Sequence, residues 1–310
     1  MKEIHNSKPI IQPEIGMIVA VLAISTGSIF IRLMQEDVSP MVMALYRLGI
    51  SSLVLMPLAL QNRREIGRLR RQEWVFLWVG GFSLAMHFVT WISSLQYTSV
   101  LSSVVFVNTS PIWVALLSPV LLGESLSRKA RRGMGLAMLG MLLVALSGAV
   151  KIADGQMQWM GFQMEEASQP LLGNFLAMLG AWSATGFLLV GRKLRSSLSL
   201  MPYTFLLYGS AALIMGGIVL VTGQPLGGYA RISYVWLLGI ALVPQLIGHS
   251  MANWALRYAS AAYVSVVLLA EPVGASVLAL IFLGEVPGVV EVIGSVVIMA
   301  GIYLVTKANA

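Results

Sequence analysis

Two stretches, "LQYTSVLSSVVFVNTSPIWVALLSPVLLGE" (95–124) and "LRYASAAYVSVVLLAEPVGASVLALIFLGE" (256–285), decide the fold. Each is an apolar run with a proline at the same place and a closing Gly-Glu. Tyr97 aligns with Tyr258, Pro111 with Pro272, and Gly123-Glu124 with Gly284-Glu285, every pair 161 residues apart. The register continues without a gap through Gly133/Gly294, Met138/Met299 and Gly140/Gly301. Self-similarity of this length means a duplicated structural unit. Earlier segments match less closely, although Thr26-Gly27 resembles Thr185-Gly186 and Tyr46 resembles Tyr208.

The rest of the chain is equally apolar: 57% of its 310 residues are hydrophobic and 11% charged, against about 25% charged in a soluble domain. A hydrocarbon core of about 30 Å takes roughly 20 apolar residues per helix. The sequence divides into ten such spans, 15–35, 39–60, 74–96, 99–122, 133–150, 171–191, 201–222, 233–256, 260–283 and 288–306. Helices are expected, because a lipid-exposed backbone must satisfy its own hydrogen bonds, and the alternation of barrel strands is absent. The first apolar run is too long for the h-region of a cleaved signal. With no cysteine, disulfides, thiolate metal sites and a cysteine nucleophile are excluded.

The net charge of +7 gathers in alternate loops: "NRREIGRLRRQE" (62–73), "SRKARR" (127–132) and "GRKLRSS" (191–197). The opposite loops are poor in basic residues: "QED" (35–37) is acidic, and the long connection after span five sets Lys151 against Asp154, Glu165 and Glu166. Lys and Arg mark cytoplasmic loops, so both termini and the basic loops are expected in the cytoplasm of an inner-membrane protein, with no role in nucleic-acid binding. Five spans per half turn the second copy over. The segment after the first Gly-Glu is basic and that after the second, "VPGVVE", is acidic, as opposite orientations require. The expected fold is therefore an all-α membrane protein of ten transmembrane helices in two inverted-topology repeats of five. Its parts are a cytoplasmic tail (1–14), a first repeat (15–150), an extracytoplasmic connection (151–170) and a second repeat (171–306). Inverted repeats recur in secondary transporters, whose substrate sites lie near the bilayer midplane.

Five plus five spans, with "SPIWVALLSPVLLGE" (110–124) and "EPVGASVLALIFLGE" (271–285) closing the fourth helix of each half, resemble the EamA family of the drug/metabolite transporter superfamily. The likeness covers nearly all of 15–306. It implies export of amino acids, other metabolites or drugs, or movement of sugars or nucleotide-sugars, through a central cavity open to one side at a time, with Glu271-Pro272 in the ninth helix near that cavity.

Glu271 stands about eleven residues from either end of its span, near the midplane. An ionisable group there faces the bundle interior or a water-filled cavity, and Pro272 frees a carbonyl one turn earlier. It reads as a proton-titrating or cation-binding carboxylate, or as an acid fixed by a neighbour. Arg47, about a turn different in depth, suits a pair with Glu271 or a fork for a substrate carboxylate. Arg32, at the outer end of span one, reads as a snorkelling interface residue. Ser83, His87 and Trp91 follow at steps of four, as do Gln245, His249 and Asn253. Each set shares a helix face and suits either cavity lining or helix–helix hydrogen bonding. The two histidines miss being repeat mates by one residue, a rotation of about 100° in a regular helix. Asn108, Thr109 and Ser110 precede Pro111, and Ser110 occupies the repeat position of Glu271. Gly123, Glu124, Gly284 and Glu285 read as helix ends.

A secondary transporter of a small amphipathic metabolite, working by alternating access, accounts best for this pattern; proton-coupled efflux of cationic drugs is the alternative. There is no "GxxxxGKS/T" phosphate loop and no hydrolase or metalloprotease motif within the spans, which argues against an ATP-driven pump and an intramembrane enzyme. Nothing resembles a channel filter. The expected partners are a small-molecule substrate, a proton and the lipid bilayer, without cofactor, metal or nucleic acid; monomer and homodimer remain open.

Overall fold

The computed structural model describes residues 9, 11–94, 97–98, 100–147, 150–153, 156–159, 169–284 and 286–309. Helices α1 (Pro13–Met34) and α2 (Pro40–Gln61) each open on a proline, whose fixed φ suits the first helical turn and whose missing N–H leaves no orphan there. A short α3 (Arg63–Ile66) leads to α4 (Arg71–Ser94). Span four is two helices, α5 (Val100–Val107) and α6 (Ser110–Leu121), followed by α7 (Arg128–Ser147). Between the halves stands a ladder that the sequence reading took for plain loop. Strands β1 (Val150–Ala153) and β2 (Gln156–Trp159) pair antiparallel, Val150 opposite Trp159 and Ala153 opposite Gln156. Asp154, Glu165 and Glu166 of this connection lie outside the described residues.

The second half opens with α8 (Pro170–Arg195) and α9 (Leu200–Val221). Span eight is α10 (Arg231–Ile240), a π-helical segment Ala241–His249 and α11 (Ser250–Ala255). Span nine is α12 (Ala261–Val267), a 3-10 turn Leu268–Ala270 and α13 (Glu271–Leu283); α14 (Val289–Asn309) ends the fold. Among the described residues nine spans are long and apolar enough to cross a bilayer. The tenth, α7, begins with Arg128, Lys129, Arg131 and Arg132 and turns apolar from Gly133.

The helices form two compact units, each drawing on both repeats: Met1–Ala85 with Gly186–Val264, and Met86–Thr185 with Ser265–Ala310. In the second unit the repeat mates α7 and α14 pack on glycines. A Cβ on Gly133 would meet the Gly301 carbonyl at 2.8 Å, and one on Gly294 the Gly140 carbonyl at 2.9 Å. The start of each helix therefore touches the end of the other. The mates run antiparallel, and each uses the same surface against its partner, the reciprocity of a two-fold axis.

In the first unit α2 and α9 do likewise. Ser52 Oγ donates to the Phe205 carbonyl at 3.1 Å, while Leu45 packs near Gly216, so α9 descends as α2 rises. Their bounds and buried positions align 160 residues apart: Met43 with Tyr203, Leu48 with Tyr208, Ser51 with Ala211, Ala59 with Val219. Tyr46 therefore does not match Tyr208. It sits nearer the helix start, its hydroxyl donating to the Leu226 carbonyl at 2.7 Å, whereas Tyr208 is fully buried.

A second pair of contacts in this unit obeys the same spacing with the chemistry exchanged. Ser233 Oγ donates to Asp37 at 2.6 Å, and Ser197 Oγ to Glu73 at 3.4 Å. Asp37 and Ser197 are 160 apart, as are Glu73 and Ser233, so acid and hydroxyl have traded places between the copies. Asp37 also accepts the Ala230 N–H at 2.9 Å, at the start of α10, where a carboxylate offsets the positive end of the helix.

Candidate functional site

One residue separates the 160-residue spacing of α2/α9 from the 161 of the later helices, and its place is visible. Helix α4 has 24 residues; its mate, Arg231–Ala255, has 25. The extra one lies in the π-helical turn Ala241–His249, wide enough to hold it. Such turns are rare and gather at functional sites. The insertion takes the spacing from 160 to 161, which sets His249 against Phe88. The two histidines are therefore not equivalent even with the irregularity counted.

In the first unit the π turn sits against α1 and α2. Gly248 approaches Ile24, and Gly27 faces Pro244. Ser51 Oγ lies 2.7 Å from both the Arg47 and the Ala241 carbonyls, linking α2 to the start of the wide turn. Here three expected residues come into one buried polar tract. Arg47 is 7% exposed, and its Nε donates to Gln245 Oε1 at 2.7 Å. Asn253 Nδ2 donates to the Tyr208 hydroxyl at 3.2 Å, which is also 3.2 Å from Ser250 Oγ. Gln245 Nε2, Asn253 Oδ1 and the Tyr203 hydroxyl are buried with no hydrogen-bond partner among the described residues. Unsatisfied buried groups are uncommon and mark sites for water or ligand. His249 is half-buried at the end of the π turn.

The tract extends to residues the sequence reading missed. The stretch 191–197, expected as a cytoplasmic loop, is helical through Arg195. Arg195 is 1% exposed, its Nε donating to the Asn253 carbonyl at 3.1 Å and its Nη1 to the Leu198 carbonyl. Arg192 Nη1 donates to the Leu256 and Arg257 carbonyls at 2.7 and 2.9 Å. Charge runs at helix ends read as solvated loops, and only packing turns one of these guanidiniums inward. Arg32, in the last turn of α1, is exposed. Beyond the spans, burial next to Tyr46, Tyr234 and Asp37 raises the Tyr229 phenol above its ordinary range.

In the second unit both broken helices interrupt at equivalent places. Helix α5 stops at Val107 and α6 restarts at Ser110; α12 gives way at Val267 and α13 restarts at Glu271. Pro111 and Pro272 lie in the first turns of the new helices, where the absent N–H does no harm. Ser110 and Glu271 are thus the opening residues of half-helices. Glu271 thereby stands at the start of a half-helix, where the dipole favours negative charge. Only one copy uses this. At the mate's break Asn108 Nδ2 donates to the Val104 carbonyl at 2.9 Å and Thr109 Oγ1 to that of Phe106 at 2.6 Å. Both half-helices end on left-handed glycines, Gly123 at φ +70° and Gly284 at +68°. The Glu124 N–H reaches back to the Ser118 carbonyl at 3.3 Å; Glu285 lies outside the described residues.

His87 and Trp91 also belong to this unit. Their rings stack with centroids 6.0 Å apart and 12° between planes, and His87 Nδ1 lies 3.0 Å from the Gly180 carbonyl. Trp91 Nε1 is buried without a partner among the described residues. Ser83, the third member of that face, falls in the first unit against Gly186. An aromatic pair went unread: Trp113 meets Trp182 edge-on at 5.5 Å and donates to Thr109 at 3.2 Å. Its i+4 spacing from Thr109 was the available signal. No group of three or more His, Asp or Glu able to hold a metal occurs among the described residues.

The comparisons agree with this architecture. A model of the EamA-like transporter family matches residues 12–146 and 171–307. An uncharacterized transporter of Archaeoglobus fulgidus is 24% identical over 285 residues, covering 90% of this chain and 91% of the relative. The uncharacterized transporter YdfC of Bacillus subtilis is 21% identical, covering 90% and 86%. A solved crystal structure superposes with a TM-score of 0.77 over 96% of this chain and 98% of its own, at 16% identity, a likeness of fold. The chain is thus a multi-pass membrane protein and transporter, a member of the EamA family within the drug/metabolite transporter superfamily.

Proposed function

We propose that the chain is a secondary active transporter exporting a small amphipathic metabolite, an amino acid or related compound, by alternating access around a midplane cavity. Glu271 is its titrating group. The observation that carries this reading is the pair of helix breaks at Asn108–Thr109 and Leu268–Ala270, equivalent in the two repeats, only one of which opens on an acid. Broken helices are where transporters of inverted-repeat design bind substrate and coupling ions. Arg47, Gln245, His249 and Asn253 of the first unit, and Glu271, His87, Trp91, Asn108 and Ser110 of the second, are proposed as substrate or coupling contacts. Arg47 favours an acidic group on the cargo and Glu271 a basic one, so a zwitterion suits both. A cationic compound exchanged for protons is the second reading, favoured by the single acid and the His87–Trp91 stack. The tail, the basic loops and both termini are assigned to the cytoplasm of the cell membrane by the positive-inside rule, and 151–170 to the outside.

Two measurements test this. Glu271→Gln in proteoliposomes abolishes the response of transport to a pH gradient; an unchanged response removes Glu271 from coupling. Thermal-shift screening of the purified protein against amino acids, amines and dyes separates the cargo classes, since a ligand stabilises with the logarithm of its saturation.

A further inference from the structure

Two cavities of the first unit lie at the basic end of α4. One, of about 750 Å³, is lined by Arg63, Arg64, Arg68 and Arg70 together with Glu65 and Glu73. Its two acids are already engaged. Glu65 accepts the Ser199 N–H at 2.6 Å and the Ser199 hydroxyl, at the N-cap position of α9. Glu73 accepts the Arg70 N–H at 2.8 Å, lies 3.8 Å from Arg70 Nε and accepts from Ser197. Arg63, Arg64 and Arg68 have no carboxylate partner among the described residues. These three exposed arginines line a space large enough for a phosphodiester headgroup, and the site is built by the same contacts that hold α3 to α9.

The other cavity, of about 470 Å³, begins at Arg71, the next residue in the chain after Arg70. It continues along Trp74, Trp78 and Phe82 with Ile214 of α9 on its far side. Those aromatic side chains are from 36% to 54% exposed. A cationic mouth over an aromatic-lined apolar groove is complementary to a lipid with a negative headgroup: the phosphate needs charge and the chain needs a dry wall. A soluble anion would use only the first cavity. We propose that this end of the molecule is a binding site for an anionic phospholipid of the phosphatidylglycerol type, its phosphate among Arg63, Arg64 and Arg68 and one acyl chain in the groove below Arg71.

The test uses the full chain in detergent. Phosphatidylglycerol, phosphatidylcholine and inorganic phosphate are each added, and the apparent unfolding temperature and the lipid retained in native mass spectrometry are recorded. Phosphatidylglycerol stabilises and stays bound; phosphatidylcholine and phosphate do neither. Neutralising a cation near a lipid headgroup weakens affinity about fivefold, so Arg63→Gln/Arg64→Gln/Arg68→Gln lowers it roughly 100-fold. Arg131→Gln/Arg132→Gln, in the basic start of α7, leaves it unchanged. Trp78→Ala weakens lipid retention without creating a response to phosphate. Equal stabilisation by phosphatidylcholine, or equal losses in the two arginine variants, overturns the site as a general effect of charge. Stabilisation by inorganic phosphate alone overturns the lipid as its occupant.

Discussion

The crossing of α7 and α14 makes a sharp prediction about Gly301. A Cβ there would stand 2.4 Å from the Ala137 nitrogen, 2.6 Å from the Gly133 carbonyl and 2.7 Å from Ala137 Cα, where ordinary contact begins at 3.4 Å. All three atoms are backbone, so no side chain can swing aside, and Gly301→Ala must part the helices by about 1 Å. A gap of that size forfeits a quarter to a half of the dispersion energy along the seam, and overpacking of this kind costs about 1–3 kcal/mol. Against that stands the better helix propensity of alanine, about 1 kcal/mol. The net loss is about 0–2 kcal/mol. Gly135→Ala is the control: it lies on the same helix as Gly133, with nothing within 4 Å of a new Cβ, so it gains the propensity alone. The two variants should differ by the overpacking cost alone, about 1–3 kcal/mol, or roughly 2–5 °C in apparent unfolding midpoint for a chain of this size. Detergent-solubilised protein followed by fluorescence-detected size exclusion after heating reads this directly. Gly140→Ala, the repeat mate, meets Ile298 N at 2.5 Å and the Gly294 carbonyl at 2.7 Å and should lose as much as Gly301→Ala. If Gly301→Ala and Gly135→Ala melt together, the close reciprocal crossing is wrong.

Three further outcomes are expected. Gln245→Leu removes the acceptor of a buried Arg47 Nε and costs about 1.5–3 kcal/mol; a midpoint equal to wild type would mean that Arg47 does not depend on that bond. Asp37→Ala uncaps α10 and costs about 1 kcal/mol, and Glu73→Ala, its exchanged counterpart, costs less because its 3.4 Å bond is the longer; the reverse order in thermal melts would refute the pairing. Deleting one residue from the π turn, for example Leu246, brings span eight to the 24 residues of α4 and lets a regular α-helix close with both flanks in their present phase; the Asp37 cap should survive, and a midpoint lowered as far as that of Asp37→Ala would show that the wide turn does not absorb the extra residue.

Packing and chemistry follow different rules here. The glycine crossing, the helix breaks and the left-handed glycines repeat faithfully, because both copies must bury the same surfaces. The lone charges deep within the spans do not repeat. Arg47 stands opposite Leu207 and Glu271 opposite Ser110, so each copy supplies one membrane charge that the other lacks. Both are legible as lone charged residues in apolar runs. Their surroundings are not. That Tyr208 joins Asn253, or that Arg195 turns inward, depends on the rotational phase of helices far apart in sequence, and hydropathy carries no phase between helices.

The sequence by itself determined that the protein spans a membrane, that it is two copies of five helices and that the copies face opposite ways, since apolar length, spacing and loop charge are each written locally. Only the tertiary structure decided where the one-residue difference between the copies is absorbed. A π turn and an α turn can have the same composition, and the choice is made by what each leaves facing α1 and α2. The tertiary structure alone also decided which polar groups meet, because a hydrogen bond of 2.7 Å between residues 198 apart in the chain is fixed by packing and by nothing in either neighbourhood.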